Sequence, residues 1–481
     1  MENTIWVNLA TAALVLLWIG LLAVGAALLQ RRHWLAGGVL VLEGLLGLAA
    51  HLALSLVPVG IGEPLIRIGR QDLVAFGAAG FITALIVAFV AWGKRRFVET
   101  FSRWGVRMAL PLLAPVLAAS TLAGLSYLST PARERERDAN RRNVQMAPGF
   151  KAEIYASSAL NNPAMDNPTT MMFAPDGTLY IGDIAGNLWA AKDKDGDHKV
   201  DEITQFATGF SLLLGLAWKG DELYVSSSGK IEALRDTNHD GKADARRTLV
   251  EGLPSLILNP HSNNSLTFGP DGRLYFGVGA TSDDGVEKQP LAASILSVSP
   301  DGGDVRVYAR GFGNPFEVAF NSKGDMFSGD NSGLNGVDGQ AAPDEFNQVQ
   351  EGKDYGFVPN DPLNQAGKTQ ALLSFDPHST PTGLTFYTGK TYPPEYLDNA
   401  FITLWNKGDV MRVQLTPDAS GTNSAGNAAG TSAAGTYTPN DSFFGRGFLY
   451  PIDVVMGPDD NLYIADFGTS VIYRITYEGG Q

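Results

Sequence analysis

A short motif recurs six times in the last two-thirds of this 481-residue chain: an apolar pair leads into a turn, and a short apolar strand follows. In its fullest form the turn is Pro-Asp-Gly, where proline presets φ and glycine accepts a positive φ. Each unit therefore predicts a β-hairpin. The six copies begin at Met172, Leu216, Leu266, Val318, Leu384 and Val454. Repeats spaced by roughly 40–70 residues are typical of propellers and other repeat arrays.

The spacing of the copies predicts a six-bladed all-β propeller. The first three turns, at Asp176, Gly220 and Asp271, are spaced as expected if each belongs to one four-stranded blade. The later copies lie further apart, so their blades carry insertions. One insertion is the stretch 420–436, which is rich in Gly, Ala, Ser, Thr and Asn. That composition predicts a surface loop.

The first part of the chain has a different character, because it contains four long apolar runs. Each is near the length of roughly 20 residues that crosses a membrane as a helix. They cover about residues 5–29, 36–57, 73–92 and 108–128. The sequence therefore predicts an all-α transmembrane domain of four helices at 1–130, a charged linker at 131–147 and the propeller at 148–481.

The basic residues between these runs predict an orientation. The first and third loops carry most of them, namely Arg31, Arg32, Lys94, Arg95, Arg96, Arg103 and Arg107. Because positively charged loops stay in the cytoplasm, we expect a multi-pass protein of the bacterial inner membrane with its propeller facing the periplasm. The arginines after the fourth run alternate with acidic residues, which is typical of a solvated linker.

Charge and composition exclude several function classes. The first 145 residues hold 14 Lys/Arg and 8 Asp/Glu, which leaves 22 basic and 42 acidic residues for the remainder. Such an acidic domain repels a phosphate backbone, so we expect no nucleic-acid partner. The chain has no cysteine, which excludes disulfides, iron–sulfur clusters and covalently attached haem.

Two acidic loops have the spacing of a calcium-binding loop. Both place oxygen ligands at positions 1, 3, 5 and 9 and contain a glycine for the sharp turn. The candidate ligands are Asp193, Asp195, Asp197 and Asp201 in the first loop and Asp236, Asn238, Asp240 and Asp244 in the second. Neither loop has the acidic residue at position 12 that completes an EF-hand, so metal-free turns between strands are the alternative.

A histidine precedes the fullest copy of the repeat. His261 lies in Asn259-Pro260-His261-Ser262-Asn263, just before the third inner strand. That position predicts a place at the channel mouth, where propellers bind ligands, and a histidine there can serve as a general base near neutral pH. The alternative is a structural histidine.

From about Gly149 to Tyr477 the chain resembles the pyrroloquinoline-quinone (PQQ)-dependent sugar dehydrogenases of the glucose/sorbosone dehydrogenase family. The resemblance rests on blocks that occur in the family's order. They are His261 with Leu266–Tyr275, Gly311-Phe312-Gly313-Asn314-Pro315, Pro343-Asp344-Glu345-Phe346-Asn347 with Tyr355-Gly356-Phe357, Pro381–Gly389, and Leu404-Trp405-Asn406-Lys407.

This resemblance implies a role for individual residues. His261 would take the proton of a sugar hydroxyl, and Asn314 would contact the quinone oxygens of PQQ. Lys407 would be a cationic contact of the cofactor. Arg412 and Arg446 would substitute for arginines that the family has at other positions and this chain lacks. The backbone carbonyls of Gly339 and Gln340 would hold Ca²⁺, which acts as a Lewis acid on the quinone. The substrate would be a small sugar, and a membrane quinone near the helices would accept the electrons.

The chain departs from the family where the family has arginines, because Gly313, Tyr450 and Ile452 occupy those positions. Guanidinium groups are natural partners for the carboxylates of this cofactor. Two further hypotheses therefore stay open beside the dehydrogenase. One is a non-catalytic binding or scaffold propeller that has lost the cofactor site. The other is a propeller hydrolase with Ca²⁺ at the channel.

Overall fold

The computed structural model describes residues 144–158, 165, 167–255, 261–281, 287–331, 342–357, 368–418 and 437–479. The four apolar runs predicted to span a membrane lie outside these residues. Within the described part, no helix is long and apolar enough to cross a membrane.

The described residues form six antiparallel sheets, which confirms the predicted six-bladed all-β propeller. The first three blades are consecutive meanders of four strands each. Blade 1 contains β3 (Pro168–Phe173), β4 (Leu179–Asp183), β5 (Asn187–Lys192) and β6 (Glu202–Thr208). Blade 2 contains β7 (Gly215–Lys219), β8 (Glu222–Ser227), β9 (Lys230–Arg235) and β10 (Ala245–Glu251). Blade 3 contains β11 (Thr267–Phe268), β12 (Leu274–Val278), β13 (Ser294–Val298) and β14 (Arg306–Arg310).

Blades 4 to 6 continue the meander. Blade 4 contains β15 (Pro315–Phe320), β16 (Met326–Asp330), β17 (Asp344–Val349) and β18 (Leu373–Phe375). Blade 5 contains β19 (Pro381–Phe386), β20 (Ala400–Leu404), β21 (Asp409–Pro417) and β22 (Tyr437–Arg446), with a short 3-10 helix at Pro394–Tyr396. Blade 6 contains β23 (Pro451–Met456), β24 (Leu462–Asp466) and β25 (Val471–Tyr477).

Two strands from the start of the domain complete the last two blades. Strand β2 (Phe150–Ser157) pairs with β25 and is the outermost strand of blade 6, so the ring is closed by hydrogen bonds between the two ends of the domain. Strand β1 (Gln145–Met146) adds a fifth strand to blade 5 by pairing with Arg446 and Gly445. It lies inside the stretch that the sequence predicts as a linker. A strand forms there because the edge of β22 offers backbone hydrogen-bond partners.

The inner strands of neighbouring blades contact each other around the central channel and give the propeller two distinct ends. At one end, which we call the proline end, four inner strands begin with proline: Pro168, Pro315, Pro381 and Pro451. Proline is tolerated there because the first residue of an edge strand need not donate to the ladder. At the opposite end, the turn end, the inner strands enter the Pro-Asp-Gly-type turns.

Six hydrophobic clusters form the core, one at each junction between blades. Tyr224 of blade 2 packs with Phe268 of blade 3, for example, and Phe327 of blade 4 with Phe386 of blade 5. The residues that supply these contacts are those of the recurring apolar pairs. The repeat therefore fixes the fold, because each blade can bury its faces only against its two neighbours.

Candidate active site

His261 and Asn314 come together at the proline end of the propeller. His261 is 8 % exposed and Asn314 is 6 % exposed. Both adjoin Gly279, which follows β12: a Cβ on this glycine would lie 2.7 Å from the Cβ of His261 and 2.6 Å from Oδ1 of Asn314. Glycine at 279 therefore provides the space in which the two side chains meet.

Hydrogen bonds orient both side chains. Nδ1 of His261 lies 3.2 Å from the carbonyl oxygen of Ala280, and when Nδ1 donates to this oxygen the basic nitrogen of the neutral ring is Nε2. Oδ1 of Asn314 accepts a hydrogen bond of 2.8 Å from Nδ2 of Asn264. Nδ2 of Asn314 makes no hydrogen bond to a described residue, so it can donate to a ligand oxygen.

Asp330, at the end of β16, holds the loop that carries Asn314. Its carboxylate accepts hydrogen bonds from the backbone N–H groups of Gly313 (2.9 Å) and Asn314 (2.7 Å). Burial, with a contribution from the negative charge of Glu345, raises the pKa of Asp330 to about 8. Asp466 of blade 6 makes the same contacts with the N–H groups of Leu449 and Tyr450.

A second pair of acids lies on the inner strands. Glu317 of blade 4 and Asp453 of blade 6 occupy the third position of β15 and β23. Burial and the charge of Asp453 raise the pKa of Glu317 well above its usual range, although the side chain is only partly shielded from solvent. Burial raises the pKa of Asp453 to about 6. Its Oδ2 accepts from the N–H of Met171 at 2.7 Å and so links blade 6 to blade 1.

Two of the three predicted cationic residues lie at the proline end, and the third does not. Lys407, in the loop after β20, lies 3.7 Å from Oδ2 of Asp376. Arg446 is exposed at the end of β22, opposite Asp409. Arg412 points away, because its guanidinium packs 3.7 Å from the ring centre of Tyr396 and Nε donates to Asn399 at the turn end.

Aromatic and apolar side chains occupy the positions where the family resemblance implies arginines in blade 6. Tyr450 packs against Trp405 with ring centres 5.0 Å apart, and Trp405 contacts Phe467 at 4.8 Å. Ile452 is buried in the same cluster. Gly313 has no side chain, so it contributes only its backbone: its N–H donates to Asp330 and its carbonyl oxygen accepts from the N–H of Ala280. The described walls of this site are thus apolar and acidic, with Lys407 and Arg446 further out.

The two acidic loops lie at the turn end, away from His261. The first connects β5 to β6, and carboxylate oxygens of Asp193, Asp195 and Asp197 lie within 4.8 Å of one another. Their oxygens accept backbone N–H groups of the same loop, as Asp193 does from Gly196 and His198. The second loop connects β9 to β10 with the same kind of contacts, such as Asp236 with Gly241.

Other candidate ligands of the two loops also accept backbone N–H groups within their own loop. Asn238 accepts from the N–H of Asp240, and Asp244 accepts from Thr237. Asp201 plays the latter role in the first loop by accepting from Lys194. Gly339 and Gln340, the residues expected to bind Ca²⁺ beside the cofactor, lie outside the described residues.

The structure adds functional candidates that the sequence analysis did not name. These are the buried carboxylates Asp330 and Asp453, the partly shielded Glu317, and Asn264. A signal was present, since Asp183, Asp330 and Asp466 each end the second strand of a blade. An aspartate that ends an otherwise apolar strand in three repeats indicates a buried, hydrogen-bonded carboxylate.

The model of a family described as a domain of unknown function, DUF7133, matches residues 136–474, which is more than two-thirds of the sequence. The chain belongs to the DUF7133 family. A relative of this DUF7133 protein, an uncharacterized protein of Borreliella burgdorferi, is 24% identical over 361 residues. The match covers 69% of this chain and 90% of the relative.

Solved structures similar to the DUF7133 propeller support the same fold. The PQQ domain of pyranose dehydrogenase from Coprinopsis cinerea has a TM-score of 0.55 at 15% identity, covering 69% of this chain and 97% of its own. The soluble aldose sugar dehydrogenase of Escherichia coli gives 0.52 at 18% identity, with 68% and 99% covered. A Thermus thermophilus protein described as an oxidoreductase (glucose dehydrogenase) gives 0.51 at 20% identity, with 68% and 99% covered.

Proposed function

We propose that this protein is a PQQ-dependent dehydrogenase that oxidises an aldose or a sorbosone-type sugar. The observation that carries the proposal is the meeting of His261 and Asn314 beside Gly279 at the proline end. This pair provides a general base and an amide donor in one place. The similarity of the fold to dehydrogenases of this type adds support.

The described residues fit the quinone end of PQQ better than its carboxylates. Nδ2 of Asn314 is oriented to donate to a quinone oxygen, because Asn264 fixes the other side of the amide. Lys407 and Arg446 would pair with the carboxylates, and Gly339 and Gln340 would hold Ca²⁺ through their carbonyls. Bound PQQ would supply a two-electron acceptor for the hydride of the sugar.

The protein's own residues would then handle the proton and the water. His261 would accept the proton of the sugar hydroxyl at Nε2, and its contact with Ala280 keeps the ring in the right orientation. Asp330 would hold Gly313 and Asn314 in position through two backbone hydrogen bonds. The apolar wall of Trp405 and Ile452 would limit the access of water.

The membrane setting is a further part of this proposal. It rests on the four apolar runs and on the basic loops between them. We propose that they anchor the propeller at the outer face of a bacterial inner membrane and that a membrane quinone receives the electrons. Transfer of electrons to a quinone is tested by using a soluble ubiquinone analogue as the electron acceptor in the activity assay.

The direct test is dye-linked oxidation of aldoses by the full-length protein after addition of PQQ and Ca²⁺. We expect His261→Asn to lower kcat by about 10²–10⁴-fold, the usual contribution of a general base. His239→Asn is the matched control, since this exposed histidine lies on a loop at the turn end, and we expect it to keep full activity. Absence of both turnover and PQQ binding by calorimetry would refute the proposal.

A binding propeller that has lost the cofactor is the second candidate. The observation that favours it is the apolar cluster of Tyr450, Ile452 and Trp405 in place of arginines. This function predicts no PQQ binding and retention of sugar or peptide binding at the proline end. PQQ binding that falls with Asn314→Ala, but not with the exposed control Asn440→Ala, would exclude it.

A further inference from the structure

The peptide group between Ala280 and Thr281 lies beside His261 and is hydrogen-bonded at both of its ends. Its carbonyl oxygen, that of Ala280, lies 3.2 Å from Nδ1 of His261. Its N–H, that of Thr281, donates to Oε2 of Glu287 at 2.6 Å. The C=O and N–H of one planar trans peptide point in opposite directions. A single peptide group therefore connects the candidate base to a carboxylate.

Glu287 holds this peptide through more than one contact. Its Oε1 accepts the hydroxyl of Thr281 at 2.7 Å and the backbone N–H of Gln289 at 2.7 Å. Both the backbone and the side chain of Thr281 are thus bonded to the same carboxylate. An ionised carboxylate can only accept, and its hydrogen bonds are shorter and stronger than those between neutral groups. Glu287 therefore sets the direction in which the peptide points.

The other side of Ala280 is fixed by blade 4. Its backbone N–H donates to the carbonyl oxygen of Gly313 at 2.7 Å, and Gly313 directly precedes Asn314. Ala280 is consequently held between the loop that carries Asn314 and the carboxylate of Glu287. The position of its carbonyl oxygen is set by these neighbours, and Nδ1 of His261 meets an acceptor that is already in place.

This arrangement selects one form of the imidazole ring. A carbonyl oxygen can only accept, so the contact with Ala280 requires the hydrogen on Nδ1 and leaves Nε2 as the basic nitrogen. A chain of hydrogen bonds that ends on a carboxylate polarises each of its members, and a nearby negative charge favours the protonated ring. We propose that Glu287 is a positioning residue for His261, which acts through the 280–281 peptide to hold the Nδ1–H tautomer and to make Nε2 a better proton acceptor. Only the transfer of a sugar proton to Nε2 rests on the proposed function.

The other charged groups on the elements next to the His261 loop have partners of their own or are exposed. They are Lys230 with Glu232 in blade 2, Asp330 opposite Glu345 in blade 4, and the exposed Lys288 beside Glu287. Asp330 also accepts the backbone N–H groups of Gly313 and Asn314. A variant of Glu287 leaves all of these groups in the protein, so a change in the titration of His261 can be assigned to Glu287.

The test is an NMR titration of isotope-labelled histidine in the full-length protein without PQQ. The chain has six histidines, and the signal that is lost in His261→Asn identifies the relevant one. Glu287→Gln keeps the shape of the side chain and removes its charge. We expect it to lower the pKa of His261 by about 0.5–1 and to reduce the share of the Nδ1–H tautomer, which the ¹⁵N shifts report. Glu287→Asp keeps the charge and should keep the pKa closer to the wild type.

The same variant should change the pH dependence of turnover with PQQ and Ca²⁺. The acidic limb of the kcat/KM profile should move to lower pH with the pKa of His261, and kcat on the plateau should fall about three- to tenfold, because the base is weaker and less well oriented. Glu251→Gln is the matched control, since it removes an exposed carboxylate at the same end of blade 2. We expect it to leave the titration of His261 as in the wild type.

A purely structural role of Glu287 predicts a different result. Glu287→Gln would then lower Tm while the pKa and the tautomer of His261 stayed as in Glu251→Gln, and this outcome would overturn the proposal. The titration also separates the proposal from the redox function. A pKa and a tautomer that change in a protein without dehydrogenase activity would support the role of Glu287 and count against the proposed function alone.

Discussion

The two ends of the propeller use aspartate in opposite ways. At the proline end, Asp330 and Asp466 are almost completely buried, and each accepts backbone N–H groups from the loop that precedes an inner strand. At the turn end, Asp271 and Asp176 are exposed and accept from N–H groups of their own turns. The proline-end carboxylates take the place of water as hydrogen-bond acceptors for the backbone N–H groups of the loops that carry the candidate site. The turn-end carboxylates stay exposed and bond within their own hairpins, where Asp271 also accepts the hydroxyl of Tyr275 at 2.9 Å.

The largest effect should come from removing a buried proline-end carboxylate. Asp466 accepts from the N–H groups of Leu449, Tyr450 and Gly468 at 2.9 to 3.0 Å. Asp466→Ala leaves these buried donors without a partner, so we expect a loss of about 4 kcal/mol in the free energy of unfolding. Asp271→Ala at the turn end should cost about 1–2 kcal/mol, because it removes the acceptor of the Arg273 N–H and of the Tyr275 hydroxyl. Urea unfolding followed by tryptophan fluorescence measures both, and equal losses would contradict the comparison.

Glycines also differ between the ends. Gly277 is needed for space, since a Cβ there would lie 1.8 Å from the carbonyl oxygen of Pro315. Gly272 is needed for its φ of +79°, and the nearest atom to a Cβ would be the flexible end of Lys219 at 3.5 Å. We expect Gly277→Ala to cost about 3 kcal/mol and Gly272→Ala about 1–2 kcal/mol. Thermal unfolding of the two variants gives the order, and the reverse order would refute this explanation.

Two acids on the inner strands, Asp453 and Glu317, give the stability of the fold a pH dependence. The pKa of Asp453 rises from its usual 3.8 to about 6 in the folded protein, and that of Glu317 also rises. The folded state therefore holds these protons more tightly. Their contribution to stability is complete below pH 3.8 and is lost as the pH rises through about 6, by up to about 3 kcal/mol for Asp453.

Glu317→Gln tests this dependence by removing one of the two negative charges. We expect the loss of stability between pH 4 and pH 7 to become smaller, because Asp453 can then ionise without an anionic neighbour. The measurement is the unfolding midpoint in urea across this pH range. Asp271→Asn, which removes an exposed carboxylate at the turn end, is the control variant. A profile that is unaltered in Glu317→Gln would contradict the coupling.

The fold was largely predictable from sequence, because each copy of the turn motif encodes a hairpin locally. Closure of the ring was not predicted, since β2 pairs with β25 across more than 300 residues and neither strand carries a signal for its partner. At the candidate site, His261 and Asn314 were named from motifs, and their meeting depends on Gly279. Arg412 was expected at the cofactor, but its side chain lies against Tyr396 at the turn end. Side chains alternate in direction along a strand, so the sequence alone did not show which way this one points.

Metal binding at the turn end should give the smallest effect. Asp193, Asp195 and Asp197 already converge in the first acidic loop, where Asp193 is half-buried and the other two are exposed, so a bound Ca²⁺ would stabilise the folded state by mass action. At tenfold excess over Kd this amounts to about 1.4 kcal/mol, which a rise in Tm of a few degrees would report. EDTA should reverse the rise, and Asp195→Asn should reduce it, whereas Asp330→Asn at the proline end should lower Tm with and without Ca²⁺ alike. A Tm that does not respond to Ca²⁺ would show that the loops are metal-free turns, in which case the exposed carboxylates only shape the backbone.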